Sequence, residues 1–127
     1  MKLLKIYRCF CDETRLRILH LLNRGPLCVC HFQEVLQLSQ VAVSKHLAYL
    51  RANGLAEAER HGKWMIYRLP ERAPEELDLQ LRCLQDCVST IPIFREDLKR
   101  LQRMRCDCDW LETFRSSKPS MAGGRSR

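Results

Sequence analysis

The sequence of 127 residues contains no apolar run near the roughly 20 residues needed to span a bilayer. The opening Met1-Lys2-Leu3-Leu4-Lys5 does not read as a secretory signal, because Lys5, Arg8 and Asp12 break any apolar stretch. A cytoplasmic protein with no membrane partner is therefore expected. The sequence also lacks a C-x-x-C motif in a strand–helix–strand setting, a Gly-rich phosphate loop, and any Cys/His/Asp grouping beyond chance. These absences argue against an enzyme and leave a small cysteine-based reductase or thiol transferase as the weakest reading. No internal repeat is visible. The histidines are His20, His31, His46 and His61, with none further along.

What the sequence does have is positive charge, apolar residues and cysteine. Lys and Arg total 22 against 15 Asp and Glu, a net charge of +7 that favours an anionic partner such as nucleic acid. Apolar residues make up 46%, enough for one compact core. Eight cysteines are many for this length. In a reducing cytosol they point to thiolate chemistry on a metal rather than to a disulfide framework. Three of the pairs are C-x-C: Cys9 with Cys11, Cys28 with Cys30, and Cys106 with Cys108. Cys83 and Cys87 are four apart.

The periodicity predicts a short helix over 2–10 and a second over 13–24, with Asp12 as N-cap and Leu16, Leu19 and Leu22 on one face. Gly25-Pro26 ends it. A third helix is expected from Cys28, with Val29, Phe32, Val35 and Leu36 at helical spacing. A turn at Leu38-Ser39-Gln40 leads into a fourth, capped by Ser39, holding Val43, Leu47 and Leu50 inward and stopping at Asn53-Gly54. Short segments 55–60 and 63–69 flank His61-Gly62 and read as a tight hairpin. Helical patterns return over 75–88 and 93–114, interrupted by Pro92. The expected fold is mainly α with a small β-hairpin, a winged helix-turn-helix over 1–115, with a disordered basic tail over 116–127. The plainer alternative is a helical domain with an incidental hairpin.

The fourth helix is then the one that would lie in a DNA major groove. Ser39, Gln40, Ala42, Ser44, Lys45 and His46 are its candidate contacts, and its apolar positions are expected to face inward. Gln suits adenine edges, Ser a base or phosphate, and Lys guanine or phosphate. Arg51 suits backbone phosphate, while Arg60, His61 and Lys63 sit at the expected wing tip. A polar solvated helix face is the competing interpretation, and His46 reads equally well as a structural hydrogen-bonding residue.

Four stretches carry a resemblance: Asp12–Leu19, Leu27–Cys30, Val43–Leu47 and Gly62–Leu69. In that order they resemble the signatures of the ArsR/SmtB family of bacterial metal-responsive repressors, over most of residues 4–70. The resemblance implies a homodimer, binding to an inverted repeat in double-stranded operator DNA, and release when an inducer binds. It places N- and C-terminal helices at the dimer interface, where apolar stripes would otherwise stay uncovered. Twofold symmetry would set two reading helices about 34 Å apart.

Leu27-Cys28-Val29-Cys30 resembles the box carried by arsenic-, antimony-, lead- and cadmium-responsive members. Thiolates are soft ligands that select soft ions, and the unpaired N–H groups of a helix start favour a thiolate. The resemblance thus implies arsenite, As(III), as inducer, with Sb(III), Cd(II), Pb(II) or Zn(II), or thiol oxidation, as alternatives. If both cysteines lie in the first turn, they point about 200° apart. Binding one ion would then require that turn to unwind, which would be the switch. The family's arsenite box has a third cysteine where this chain has Gln33, and Asp where it has His31. A third thiolate would come from Cys106 or Cys108, or from Cys9 or Cys11. Cys83 and Cys87 share a helix face and suit packing better. Zinc-sensing members carry histidines on the last helix, which this chain lacks, although His31 beside Cys30 keeps a mixed Cys/His site open.

Overall fold

A computed structural model describes residues 1–86 and 90–104. The order is α1 (Lys2–Phe10), α2 (Glu13–Leu22), β1 (Leu27–Cys28), α3 (Val29–Leu36), α4 (Gln40–Ala52), β2 (Glu57–His61), β3 (Trp64–Arg68), α5 (Glu75–Asp86) and α6 (Pro92–Arg103). The expected hairpin is β2–β3, but β1 joins it, giving a three-stranded antiparallel sheet in the order β1-β3-β2. Leu27 pairs with Tyr67 and Cys28 with Ile66. Two residues are too few for any alternation to be read from sequence, so this strand was not foreseen.

Local chemistry explains the element ends. The Asp12 carboxylate accepts from the Arg15 N–H at 3.0 Å, and the Ser39 hydroxyl accepts from the Ala42 N–H at 3.2 Å. Each satisfies one of the unpaired donors at a helix start. At the end of α4, the Leu55 N–H donates to the Leu50 carbonyl and the Gly54 N–H to that of Arg51. This double closure places Gly54 at φ +81°, where glycine has no Cβ to clash. The hairpin turn falls on Gly62-Lys63, one residue later than expected, since His61 pairs with Trp64. Gly62 alone of the two turn residues has positive φ, +60°, as a type II′ turn requires.

The core joins both halves of the chain. Phe32, Val35 and Leu36 of α3 and Val43, Leu47 and Leu50 of α4 share one cluster with Ile18, Leu19, Leu21 and Leu22 of α2. Leu77, Leu81 and Leu84 of α5 and Phe94 of α6 complete it. The last helix is also tied down by polar contacts. Arg17 on α2 makes two hydrogen bonds of 2.8 Å to Asp97 on α6, and Arg100 donates to the Val35 carbonyl at 3.0 Å. The second bond satisfies a carbonyl near the open end of α3. No helix among the described residues is long and apolar enough to cross a membrane. The expected tail over 116–127, and the part of the expected last helix beyond 104, lie outside the described residues.

Candidate metal centre and nucleic-acid interface

Cys28 does not lie in the first turn of α3. It ends β1 and serves as the N-cap, with extended backbone at φ −95° and ψ 168°. That one-residue difference removes the expected geometric obstacle. The 200° divergence applies between two helical residues, and Cys28 is not helical. Its sulfur meets that of Cys30, with Cα atoms 5.4 Å apart, and it is this pair in its reduced, thiolate form that can take an ion. Convergence needs no unwinding, and the switch based on unwinding loses its premise.

His31 completes the group. Its Nδ1 lies 3.1 Å from Cys28 Sγ and 4.0 Å from Cys30 Sγ, and all three ligand atoms fall within 4.8 Å of one another. The Cys28 N–H donates to the same Nδ1 at 3.2 Å. A backbone N–H can only donate, so Nδ1 is the acceptor and the neutral ring carries its proton on Nε2. Cys28 and His31 are buried, whereas Cys30 is half-buried. Cys30 opens onto a cavity of about 490 Å³, lined also by Gln33, Glu34, Gln37 and Leu38. Two soft sulfurs and one borderline nitrogen, with open access on one side, fit a soft or borderline ion.

The other cysteines fare differently. Cys9 is fully buried in the core, and burial pushes its thiol up from the ordinary range, partly opposed by Arg15. Burial among apolar side chains suits Cys9 to packing as a small hydrophobe. Cys11 is exposed at the end of α1. Neither belongs to the one three-ligand group found among the described residues. Cys83 is exposed on the surface of the single chain, on the helix expected at the dimer interface. Cys87, Cys106 and Cys108 lie outside the described residues.

On α4 the buried residues are Val43, Leu47 and Leu50. Gln40, Val41, Lys45 and Ala48 are exposed and Ser44 is half-buried, which defines one outward row. Ser39 caps the helix from an exposed position. Two candidates sit off that row, at about 200° and 240° around the axis from Gln40. Ala42 is half-buried, and His46 turns its Nδ1 to 3.8 Å from the Asp12 carboxylate at the start of α2. Arg51 is exposed in the last turn. At the wing tip, Arg60 and Lys63 are exposed, Lys63 lying 5.2 Å over the Trp64 ring. His61 points instead to the Glu59 carboxylate at 3.1 Å. Val41 was missed because a helical valine reads as inward. The signal was available: Val43 already fills the inward stripe, and a residue two before it faces away.

A helix-turn-helix of α3 and α4, followed by a basic-tipped β2–β3 wing, defines a winged-helix regulator. Comparison with known proteins carries this further. Residues 12–58 match the family described as "Bacterial regulatory protein, arsR family". The chain is 38% identical over 111 residues to the arsenical resistance operon repressor of Escherichia coli (strain K12), covering 84% of this chain and 90% of that one. It is 40% identical over 82 residues to the arsenic resistance transcriptional regulator ArsR1 of Pseudomonas putida, a match spanning 64% of each chain and so just under two thirds of that relative. A cadmium resistance transcriptional regulatory protein CadC homolog of Staphylococcus aureus is 31% identical over 78 residues, 61% of this chain and 64% of its own length. Among solved structures, HlyU from Vibrio cholerae N16961 superposes with a TM-score of 0.63 at 30% identity, covering 69% of this chain and 92% of that one. The chain belongs to the ArsR family of bacterial regulatory proteins. These relatives are transcriptional regulators and not enzymes, as expected from the sequence.

Proposed function

We propose that the chain is a homodimeric repressor that leaves its operator when trivalent arsenic or antimony binds Cys28 and Cys30. The observation that carries the reading is the convergence of these two sulfurs at the start of α3, beside an open cavity. The names of the arsenic-resistance relatives support the same inducer.

A third thiolate would come from Cys106 or Cys108, which follow the described residues in the sequence. Met104, the last described residue, lines a cavity of about 370 Å³ together with Glu34, Arg100 and Arg103. Glu34 also lines the cavity beside Cys30.

The site is well placed to act on both DNA-contacting parts. Cys28 is paired with Ile66 of the wing strand β3 and caps α3, which packs on α4. An ion that draws the sulfurs toward a third donor would shift the wing and the reading helix together. Dimerisation is supported by apolar side chains left exposed on α1 and α5: Leu3, Leu4, Tyr7 and Leu79.

A second reading has one specific observation in its favour. His31 Nδ1 stands 3.1 Å from Cys28 Sγ, where the family's arsenite box has no imidazole. A nitrogen donor favours Cd(II) or Zn(II) over As(III). The test is fluorescence anisotropy of a labelled duplex from the gene's own upstream region, titrated with arsenite, antimonite, cadmium and zinc. Release by micromolar arsenite, abolished in Cys28→Ser and Cys30→Ser variants that still bind DNA, establishes the main reading. Release by cadmium or zinc alone transfers the role to the mixed site.

A further inference from the structure

Val41 is 67% exposed, and in the described chain only the N-terminal Met1, at 87%, is a more exposed large apolar residue. It is the second residue of α4, on the row with Gln40, Ser44, Lys45 and Ala48. Single exposed valines are ordinary on protein surfaces. This one stands where a reading helix brings its first turns against base edges. Nothing in local propensity favours it, since a β-branched residue is a poorer helix former than alanine. Its neighbours one turn on, Ser44 and Lys45, are polar, and lysine is matched to phosphate or guanine.

We infer that Val41 selects a thymine in each operator half-site by covering its 5-methyl group. The inference rests on the DNA-binding reading and adds one atom of specificity to it. Valine has no donor or acceptor, so it gains only by removing apolar surface from water. On the major-groove edge of the four bases, the thymine methyl is the one apolar group. Over cytosine N4 or guanine O6 the same side chain would strip water from a polar atom and offer no hydrogen bond in return. Val41 thus both attracts thymine and rejects the other bases. The charge around it fits an anionic partner, with Lys45 and Arg51 exposed on the same helix and Lys63 at the wing tip.

The experiment removes that methyl and nothing else. Each thymine of the upstream duplex bound by the protein is replaced in turn by uracil, and affinity is read by anisotropy for the wild type and for Val41→Ala. Alanine is the better helix former, so weaker binding by this variant cannot come from a lost α4; unchanged circular dichroism checks it. The wild type should lose about fourfold at one thymine position per half-site, the worth of one buried methyl. Val41→Ala, altered in both subunits, should bind the thymine duplex about sixteenfold more weakly, about fourfold for each half-site, and show little further loss with uracil. Indifference of the wild type to uracil at every position overturns the inference while leaving DNA binding intact. Equal uracil penalties in wild type and variant overturn it too, assigning the methyl to another residue. Failure to bind any upstream duplex removes the underlying reading as well.

Discussion

Nδ1 of His31 accepts the backbone N–H of Cys28 at 3.2 Å while lying 3.1 Å from the sulfur of the same cysteine. One lone pair thus serves as the cap of α3 and faces the candidate site. His31→Ala should lose the cap, costing about 1 kcal/mol of stability. It also separates the two inducer readings. If the imidazole only caps, arsenite still releases DNA from the variant. If it is a ligand, the cadmium or zinc response disappears first. Denaturant titration and anisotropy on the same protein check both arms.

The Arg17–Asp97 pair holds α6 to α2, with the Asp97 side chain only 1% exposed. Removing Arg17 leaves the Asp97 carboxylate buried and unpaired, which costs about 3–5 kcal/mol. Arg17→Ala should therefore shift the urea midpoint sharply downward. The double variant Arg17→Met with Asp97→Leu should recover much of the loss, because it removes both charges and keeps apolar volume. No recovery would mean that the pair's geometry, not its charge balance, secures α6.

His20 is buried against Phe94, ring centroids 5.1 Å apart, and its Nε2 has no hydrogen-bond partner. Burial holds its pKa below the ordinary 6.5, opposed by a hydrogen bond to the Phe94 backbone and by Asp97. Above pH 6.5 the ring is neutral in both folded and unfolded chains, so stability from this residue is fully present. As pH falls from there toward the depressed folded value, the unfolded chain takes up a proton that the folded chain resists, and stability declines. Thermal melts at pH 7.5 and 5.5 should show a drop that is smaller in His20→Leu. An equal drop in both proteins would assign the acid sensitivity to other groups.

Lys63 follows Gly62 in the two-residue turn of the wing and is exposed. A lysine there that meets phosphate contributes salt-dependent affinity without sequence preference. Lys63→Ala should weaken binding to operator and unrelated duplexes alike. It should lower the slope of log affinity against log salt by about one per subunit. A loss confined to one sequence would mean that the wing reads bases instead.

Much of this fold was legible because its signals are strong and local. Asp12 and Ser39 are good N-caps followed by apolar periodicity, and both caps form as expected. Gly54 follows α4 where a left-handed residue is required. The site was legible only in part. Cys28 and Cys30 were recognisable as a pair, but their convergence depends on β1, which exists only because Leu27 and Cys28 find Tyr67 and Ile66 far along the chain. No window of sequence contains that pairing. The burial of Cys9 was hidden for a similar reason: spacing shows that two thiols are near in sequence, not that one is buried in the core. The outward placement of Val41 was hidden because apolarity was read as inward. At a reading helix the partner is itself partly apolar, and that rule weakens.

The two faces of α4 make different demands on the sequence. Val43, Leu47 and Leu50 lock it to the core, while Gln40, Val41, Ser44 and Lys45 carry none of that packing. The outward positions also hold none of the three candidate ion ligands. Under the proposed function, address and stimulus are written in separate residues. An engineer could redirect such a chain to a new promoter by exchanging four outward side chains, and lineages could drift in operator preference without retuning what the protein detects.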